Sequence, residues 1–310
     1  MYLEEQKKKS GLYFYIVENI RHDGRWKKVR VYLGKDLNKK ELKKLMKSKK
    51  AELMKRANEA RKQSDPLFGL VSDEQKKKLD QIKESYLKTR QKIKDSSVYG
   101  NYYEHFVTEF TYDTNAIEGS TITLQETALI LFDKVVPEGK SIKEISEVQN
   151  HKVAFDYMLA YKGDINRAFV LKLHNLLMHN ILWRYAGVFR DMQVYVRGAS
   201  FMPPKPQDVE KQFKQLMLWY RSNKKKYHPV IVAAYFHQVF ESIHPFADGN
   251  GRVGRLLLNF TLRKNGLPMI NIKNKEKAKY YDALEAGHKA DLKPMVDLII
   301  KYLEETEEKI

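Results

Sequence analysis

His244-Pro245-Phe246-Ala247-Asp248-Gly249-Asn250-Gly251-Arg252-Val253-Gly254-Arg255 is the stretch on which the reading of this chain turns. It packs a histidine, a carboxylate, a Gly-Asn-Gly turn and two arginines into twelve positions, then runs into Leu256-Leu257-Leu258-Asn259-Phe260, which reads as helix. Gly249 and Gly251 permit backbone conformations closed to residues with a side chain. Successive N–H groups in such a turn form an anion-binding nest, and the helix start that follows adds unpaired donors and a partial positive charge. A phosphate suits that place. Arg252 and Arg255, three apart, project from one side of the first turn and can each grip phosphate oxygens. Asp248 offers a hard oxygen to Mg²⁺ shared with phosphates. His244 titrates near neutrality and can take a proton from a hydroxyl. Together these residues point to nucleotide chemistry.

Outward from that stretch, the chain reads as predominantly helical. Helices are expected near 102–117, 124–134, 144–161, 166–181, 207–224, 229–241, 251–265, 277–288 and 293–308. Ser141 with Glu144 gives a capping-box signal ahead of one of them. Gln193-Val194-Tyr195-Val196-Arg197 is β-like, and the Gly198-Ala199-Ser200 and Pro203-Pro204 that follow make it a short hairpin on a loop. The N-terminal part differs. Leu12–Val17 and Val29–Leu33 are rich in β-formers and are separated by the turn signal His22-Asp23-Gly24-Arg25. A lysine-rich helix from about Asn38 to Arg61 carries the apolar stripe Leu42, Leu45, Met46 and Leu53. A second charged helix covers about Ser72 to Lys94, and Asp95 to Tyr99 read as a linker. Two regions result: a basic N-terminal region, 1–98, and a main domain, 99–310.

The 310 residues, 43% of them hydrophobic, suffice for a proper core, and the absence of cysteine excludes disulfides and zinc–thiolate sites. No His-Glu-x-x-His pattern occurs, so His174, His179, His228 and His237 read as core or surface histidines. Met1-Tyr2-Leu3-Glu4-Glu5-Gln6-Lys7 lacks the apolar core of a signal peptide, and no apolar run approaches the ~20 residues of a membrane span. A soluble cytoplasmic protein with no membrane partner is expected. The net charge of +18 is uneven: residues 1–100 hold 28 Lys+Arg against 14 Asp+Glu, the remaining 210 hold 29 against 25. Any acidic partner therefore meets the N-terminal region. Tyr13, Phe14, Tyr15 and Trp26 stand there among basic residues, an arrangement equally suited to base stacking and to plain cross-strand packing. Nucleic-acid binding through residues 1–98 stays open on this reading, beside a role in stiffening a homodimer or recruiting a target.

His244–Arg255 resembles the signature of the Fic (Fido) family, H-x-F-x-[D/E]-G-N-G-R-x-x-R, at every fixed position. The resemblance extends over roughly 102–308: Ala186–Arg190 resembles the segment ahead of the family's flap, Val194–Pro204 the flap, and Tyr280–Leu284 the run lining its adenine pocket. It implies an all-α fold, a Fic-type helical core with a short β-hairpin flap, here preceded by a small basic α+β N-terminal region. It implies an enzyme, a protein adenylyltransferase that moves AMP from ATP, with Mg²⁺ as cofactor, onto a Ser, Thr or Tyr hydroxyl of a target protein. His244 would be the general base and Phe246 the loop anchor. Asp248 would hold the metal, and Gly249, Asn250, Gly251 and Arg252 would cradle the phosphates. Arg255 would meet the γ-phosphate, Gly198, Ala199 and Ser200 would hold the target segment by strand pairing, and Tyr280 would border the adenine. The position eight residues after Tyr280, often Asn in relatives, is His288 here, which bears on base recognition. Thr114-Asn115-Ala116-Ile117-Glu118-Gly119 matches the family's inhibitory pattern [S/T]-x-x-x-E-[G/N], which implies that Glu118 pairs with Arg255 and misaligns ATP. The same glutamate can position a water, so a de-AMPylating hydrolase, a transferase using another phosphate-bearing donor, and a nucleic-acid-associated regulator with a nucleotide-sensing domain stand as alternatives.

Overall fold

Capping side chains decide where several of the helices begin. In this computed structural model, which describes residues 1–22, 25–93, 97–196 and 198–307, Asn38, Thr123 and Ser141 each accept from the amide three residues on. Glu41, Glu126 and Glu144 reach back to close the reciprocal box. The contacts divide the chain into two units, Met1–Leu70 and Val71–Ile310.

The first unit is an antiparallel sheet in the order β1 (Tyr2–Lys8), β2 (Gly11–His22), β3 (Arg25–Lys35), covered by α1 (Lys39–Ser64). In register, Leu3 faces Ile16 and Ile16 faces Val31, while Glu4 faces Tyr15 and Tyr15 faces Tyr32. With a side-chain period of two, one face is apolar. Leu3, Phe14, Ile16, Val31 and Leu33 pack with Leu42, Leu45, Met46 and Leu53, the stripe the sequence predicts. The hairpin is as expected, except that Asp23 and Gly24 of its turn lie outside the described residues. β1 is an addition. Its residues are mostly polar and its side-chain ties are cross-strand, Glu4 taking Lys28 at 2.7 Å and Arg30 at 2.8 Å. A strand held by partners on another strand leaves little mark on its own sequence.

The second unit is helical: α2 (Asp73–Ile93), α3 (Ser97–Ile117), α4 (Leu124–Ala128), α5 (Ile142–Ala160), α6 (Arg167–Met178), α7 (Pro206–Asn223), α8 (Pro229–Ile243), α9 (Asn250–Lys264), α10 (Lys277–His288) and α11 (Lys293–Glu307). The division falls between Leu70 and Val71, whereas the expected boundary lies at 98/99; α2 belongs with the helical unit. Part of the linker expected over Asp95–Tyr99 lies outside the described residues, and from Ser97 the chain is already α3. The helix expected over 124–134 changes pitch partway, α4 passing into a π-helical turn over Leu129–Asp133. At the centre stands α9, buried nearly all round, with Val253, Leu256 and Leu257 at 0% exposure. Only a helix enclosed by others can be apolar on every side. Its neighbours α3, α5, α6 and α8 are the elements that bring side chains to its first turn.

Candidate active site

The quoted stretch forms the corner between α8 and α9. His244 caps α8 in the left-handed region (φ 48°, ψ 61°), its N–H donating to Phe240 O at 2.9 Å. An L-residue there costs about 1–2 kcal/mol, and Arg190 supplies the restraint. This guanidinium, 3% exposed, donates from Nε to His244 O (2.8 Å), from Nη1 to Met192 O (2.9 Å) and from Nη2 to Pro204 O (2.6 Å), while its own N–H donates to Pro245 O (3.0 Å). Its side-chain partners among the described residues are carbonyls rather than carboxylates, so Arg190 ties the histidine corner to the ends of the 192–204 loop.

The corner is packed from below. Phe246, fully buried, stacks on His174 (centroids 3.7 Å apart, planes 5° apart) and touches Phe189 and Phe240. Asn250 accepts from Phe246 N–H (2.8 Å) and donates to Phe246 O (2.9 Å), closing the turn on itself. Gly187 N–H donates to His174 Nδ1, so the ring proton sits on Nε2 and donates to Asp248 O (3.0 Å). Burial drives the His174 pKa down to about 4 and keeps this ring neutral. The core role expected of His174 is thus a specific one: it holds the turn. Gly249 sits at φ 79°, where a Cβ would also press to 3.1 Å from Met178 Sδ.

The two arginines part company. Arg252, 2% exposed, places Nη1 3.0 Å from Glu147 on α5 and Nη2 3.3 Å from Asp248, while its buried Nε has no partner among the described residues. Arg255, also 2% exposed, turns to the end of α3. Its Nε donates to Thr114 Oγ1 (2.6 Å), and its Nη2 to Thr114 O (3.1 Å) and Glu118 Oε1 (2.7 Å). Burial lowers the pKa of this guanidinium, but the Glu118 charge, helped by Tyr280 and Glu241, outweighs it and leaves the pKa raised. Gly119 (φ 102°) ends α3 directly after the glutamate. Gly251 makes the ion pair possible, since a Cβ there would lie 2.3 Å from Glu118 Oε1 and 2.9 Å from Arg255 Nη1.

His244 Nδ1–H donates to Glu241 O at 3.3 Å, which leaves the Nε2 lone pair as the basic site. Burial lowers the His244 pKa and keeps the ring neutral. The expected hairpin over Val194–Pro204 appears as a loop. Gln193 Nε2 donates to Pro203 O (3.1 Å), so the ends meet, but no strand ladder runs over the described residues 192–196 and 198–204; Arg197 lies outside them. Gly198 (φ 79°) and Ala199, whose N–H donates to Val196 O (3.2 Å), form its tip, and Ser200 hydrogen-bonds Glu285 of α10. Tyr280 is 1% exposed, its hydroxyl 2.8 Å from His237 Nε2 and its ring under Arg255, so it lies beneath the site. His288 is stacked on Phe201 (3.5 Å) with Nδ1 3.1 Å from Ser242 Oγ.

A neutral histidine, a glycine-lined helix start and a buried arginine paired with a carboxylate from another helix agree with what comparison with known proteins finds: residues 164–262 match the Fic/DOC family. The chain carries a Fic/DOC domain. It is 34% identical over 260 residues to the protein adenylyltransferase Fic of Drosophila persimilis, covering 83% of this chain and 47% of that protein. It is 33% identical over 239 residues to the one of Nematostella vectensis, covering 76% and 53%. It therefore spans about half the length of these relatives. Among solved structures it resembles a Fic domain containing signaling protein from Bacteroides thetaiotaomicron (TM-score 0.68, 26% identity, 74% of this chain and 94% of that one). It also resembles Fic-1, residues 134–508, from C. elegans (TM-score 0.68, 25% identity, 87% and 84%).

Some residues that shape the Fic/DOC domain escape a reading of the motifs alone. Glu241 is 7% exposed, its Oε2 stands 4.0 Å from His244 Nδ1, and its Oε1 has no partner among the described residues. Burial pushes its pKa up to about 8, so at neutrality the carboxyl holds its proton. The signal was available, because Glu241 is the one acid in the apolar helix α8. Glu147 and Tyr281, whose hydroxyl donates to Ile117 O (3.2 Å) at the end of α3, become visible only when α5 and α10 are folded against their neighbours. No group of three or more acids and histidines able to hold a metal occurs among the described residues. Asp248 fits Mg²⁺ in another way: its carboxylate is 44% exposed, and Mg²⁺ is commonly held by one or two carboxylates with substrate phosphates and waters completing the shell.

Proposed function

We propose that this Fic/DOC domain is a protein adenylyltransferase which transfers AMP from ATP to a Ser, Thr or Tyr hydroxyl of a target protein, and that Glu118 restrains it. The observation carrying this reading is the 2.7 Å bridge from Glu118 to Arg255, in the second turn of a helix that opens on a glycine-lined corner beside a neutral histidine. In the transfer, His244 Nε2 accepts the hydroxyl proton as the oxygen attacks the α-phosphorus. The bond from that phosphorus to the bridging oxygen breaks, and pyrophosphate leaves. The N–H groups of Gly249–Arg252 and the α9 start cradle the phosphates. Arg255 aligns the γ-phosphate once Glu118 releases it. Asp248 would hold Mg²⁺, which supplies charge neutralisation to the phosphates when bound. The names of the relatives agree with this chemistry. The absence of cysteine, and of any helix among the described residues long and apolar enough to cross a membrane, fits a cytoplasmic setting.

With Glu118 in place, a γ-phosphate meets a carboxylate at its own arginine. A coupling of about 1–3 kcal/mol suppresses transfer roughly 5- to 150-fold. The Glu118 side chain is 37% exposed, which also gives it access to water and favours, as a second reading, removal of AMP from a modified protein. Mass spectrometry of Glu118→Gly after exposure to ATP and Mg²⁺ distinguishes the outcomes. The expected result is AMP on a hydroxyl, more of it than on the wild type, and none with Glu118→Gly/His244→Ala. A folded, ATP-binding Glu118→Gly protein that labels neither itself nor any offered protein ends the transferase reading.

A further inference from the structure

The N-terminal unit presents a surface that the adenylyltransferase reading leaves unused. From its first turn, α1 carries Lys39, Lys40, Lys43, Lys44, Lys47 and Lys50, all exposed. None of the six has an ion pair or side-chain hydrogen bond among the described residues. The acids of α1 nearest to them are engaged elsewhere: Glu41 closes the Asn38 cap, and Glu52 holds Lys49 (2.8 Å) and Arg56 (2.8 Å). This arrangement works against the helix that bears it. Lys39–Lys43, Lys40–Lys44 and Lys43–Lys47 are like charges at i,i+4, each destabilising by a few tenths of a kcal/mol, and cations in the first turns oppose the helix dipole. Helix formation has no use for either penalty, since the box at Asn38 and the apolar contact with the sheet already place α1.

The opposite side of the unit is a useful contrast. On the open sheet face, Lys28 and Arg30 converge on Glu4, whose pKa they hold down at about 2. Those cations are neutralised within the fold; the lysines of α1 are not. The apolar side chains of α1, Leu42, Leu45, Met46 and Leu53, are spent on the sheet, so the helix has no apolar face left to lay into a lipid surface. What is left is six point charges along roughly 17 Å of helix, about one per 3 Å of axis, close to the ~3.4 Å axial spacing of phosphates along one strand of a duplex.

We propose that the exposed lysine face of α1 is a nucleic-acid docking surface that grips the phosphate backbone of a duplex without reading its sequence. The test uses the full chain and a fluorescently labelled 20-base-pair duplex of random sequence, with anisotropy followed from low to physiological salt. Five or six phosphate contacts give a log–log salt slope of about −5, and Lys40→Gln/Lys44→Gln/Lys47→Gln reduces its magnitude by about 2 to 3 and weakens binding at least ~10-fold. The triple variant keeps its circular dichroism and, lying outside the catalytic machinery, keeps its ATP-dependent labelling, so failure here is distinguishable from failure of the transferase reading. A salt-independent signal, a triple variant that binds as the wild type does, or equal retention on phosphatidylserine vesicles or polyglutamate overturns the proposal. A substitution of Lys28 and Arg30 that costs as much as the triple one overturns the choice of surface.

Discussion

Arg252 and Arg255 in the helical unit and Lys40 and Lys44 in the N-terminal unit carry the same charge in opposite circumstances. The arginines are 2% exposed, and each is met by a carboxylate, Glu147 and Asp248 for one, Glu118 for the other. The lysines stand in solvent without one. A buried cation must be met by acceptors within the fold, carboxylates for these two or carbonyls for Arg190, because leaving it unpaired costs several kcal/mol. A solvated cation carries no such obligation and is left for whatever approaches. Only the inner set, then, can act as a switch, since only there does removing a partner release a large energy.

The largest effect expected from that contrast is at Arg190. Arg190→Met strips donors from His244, Met192 and Pro204 carbonyls at once, and should cost about 3–5 kcal/mol in urea unfolding of the helical unit. A loss below 1 kcal/mol would mean that water replaces the guanidinium and that the corner is held by packing alone. Acid should separate the units next. His151, His174 and His237 have pKa values driven down by burial to about 3, 4 and 3. Each is depressed below its unfolded value, so each contributes stability that is present above about pH 6.5 and is lost as pH falls through those folded values. Glu241 runs the other way: its pKa is raised, its contribution is full below about 4.5, and it is lost as pH rises through about 8. Hydrogen exchange should therefore show the helical unit losing protection from pH 6.5 downward while the sheet and α1, whose lowered carboxyls such as Glu4 titrate far lower, keep theirs to a lower pH. Simultaneous loss in both units contradicts this. The smallest effect is at the surface: Lys44→Gln relieves one like-charge pair and should raise the unfolding free energy by no more than a few tenths of a kcal/mol. A clear fall would show that Lys44 has a partner in solution.

The geometry of the His244–Asn250 corner is legible in the sequence because the corner is local. His244, Phe246, Asp248, Gly249 and Asn250 lie within seven positions, and Asn250 closes the turn they form through both hydrogen bonds to Phe246. The helix starts at Ser141 and Asn250 are readable for the same reason. What was not legible depends on distant chain. β1 looks like a polar terminus until β2 and β3 supply its partners, and the pitch change at Leu129–Asp133 follows no local rule that we can name. The Thr114–Glu118 motif predicts a bond to a residue 137 positions away, and the structure places the two at 2.7 Å. Thr114 itself turns out to grip Arg255 twice, through hydroxyl and carbonyl, a detail that pattern matching omits. The hairpin expected over Val194–Pro204 shows no ladder among the described residues; the loop's ends are fastened instead by Arg190 and Gln193.

One guanidinium therefore joins two segments far apart in sequence into a single mechanical piece. Because Arg190 grips Pro204 at the foot of the loop and His244 at the foot of the base with adjacent nitrogens, a tug on the loop by an incoming chain reaches the imidazole through one rigid, planar group. Under the proposed transfer, docking a target segment on the loop and aiming His244 would be one motion, with no hinge between them to let the first happen without the second.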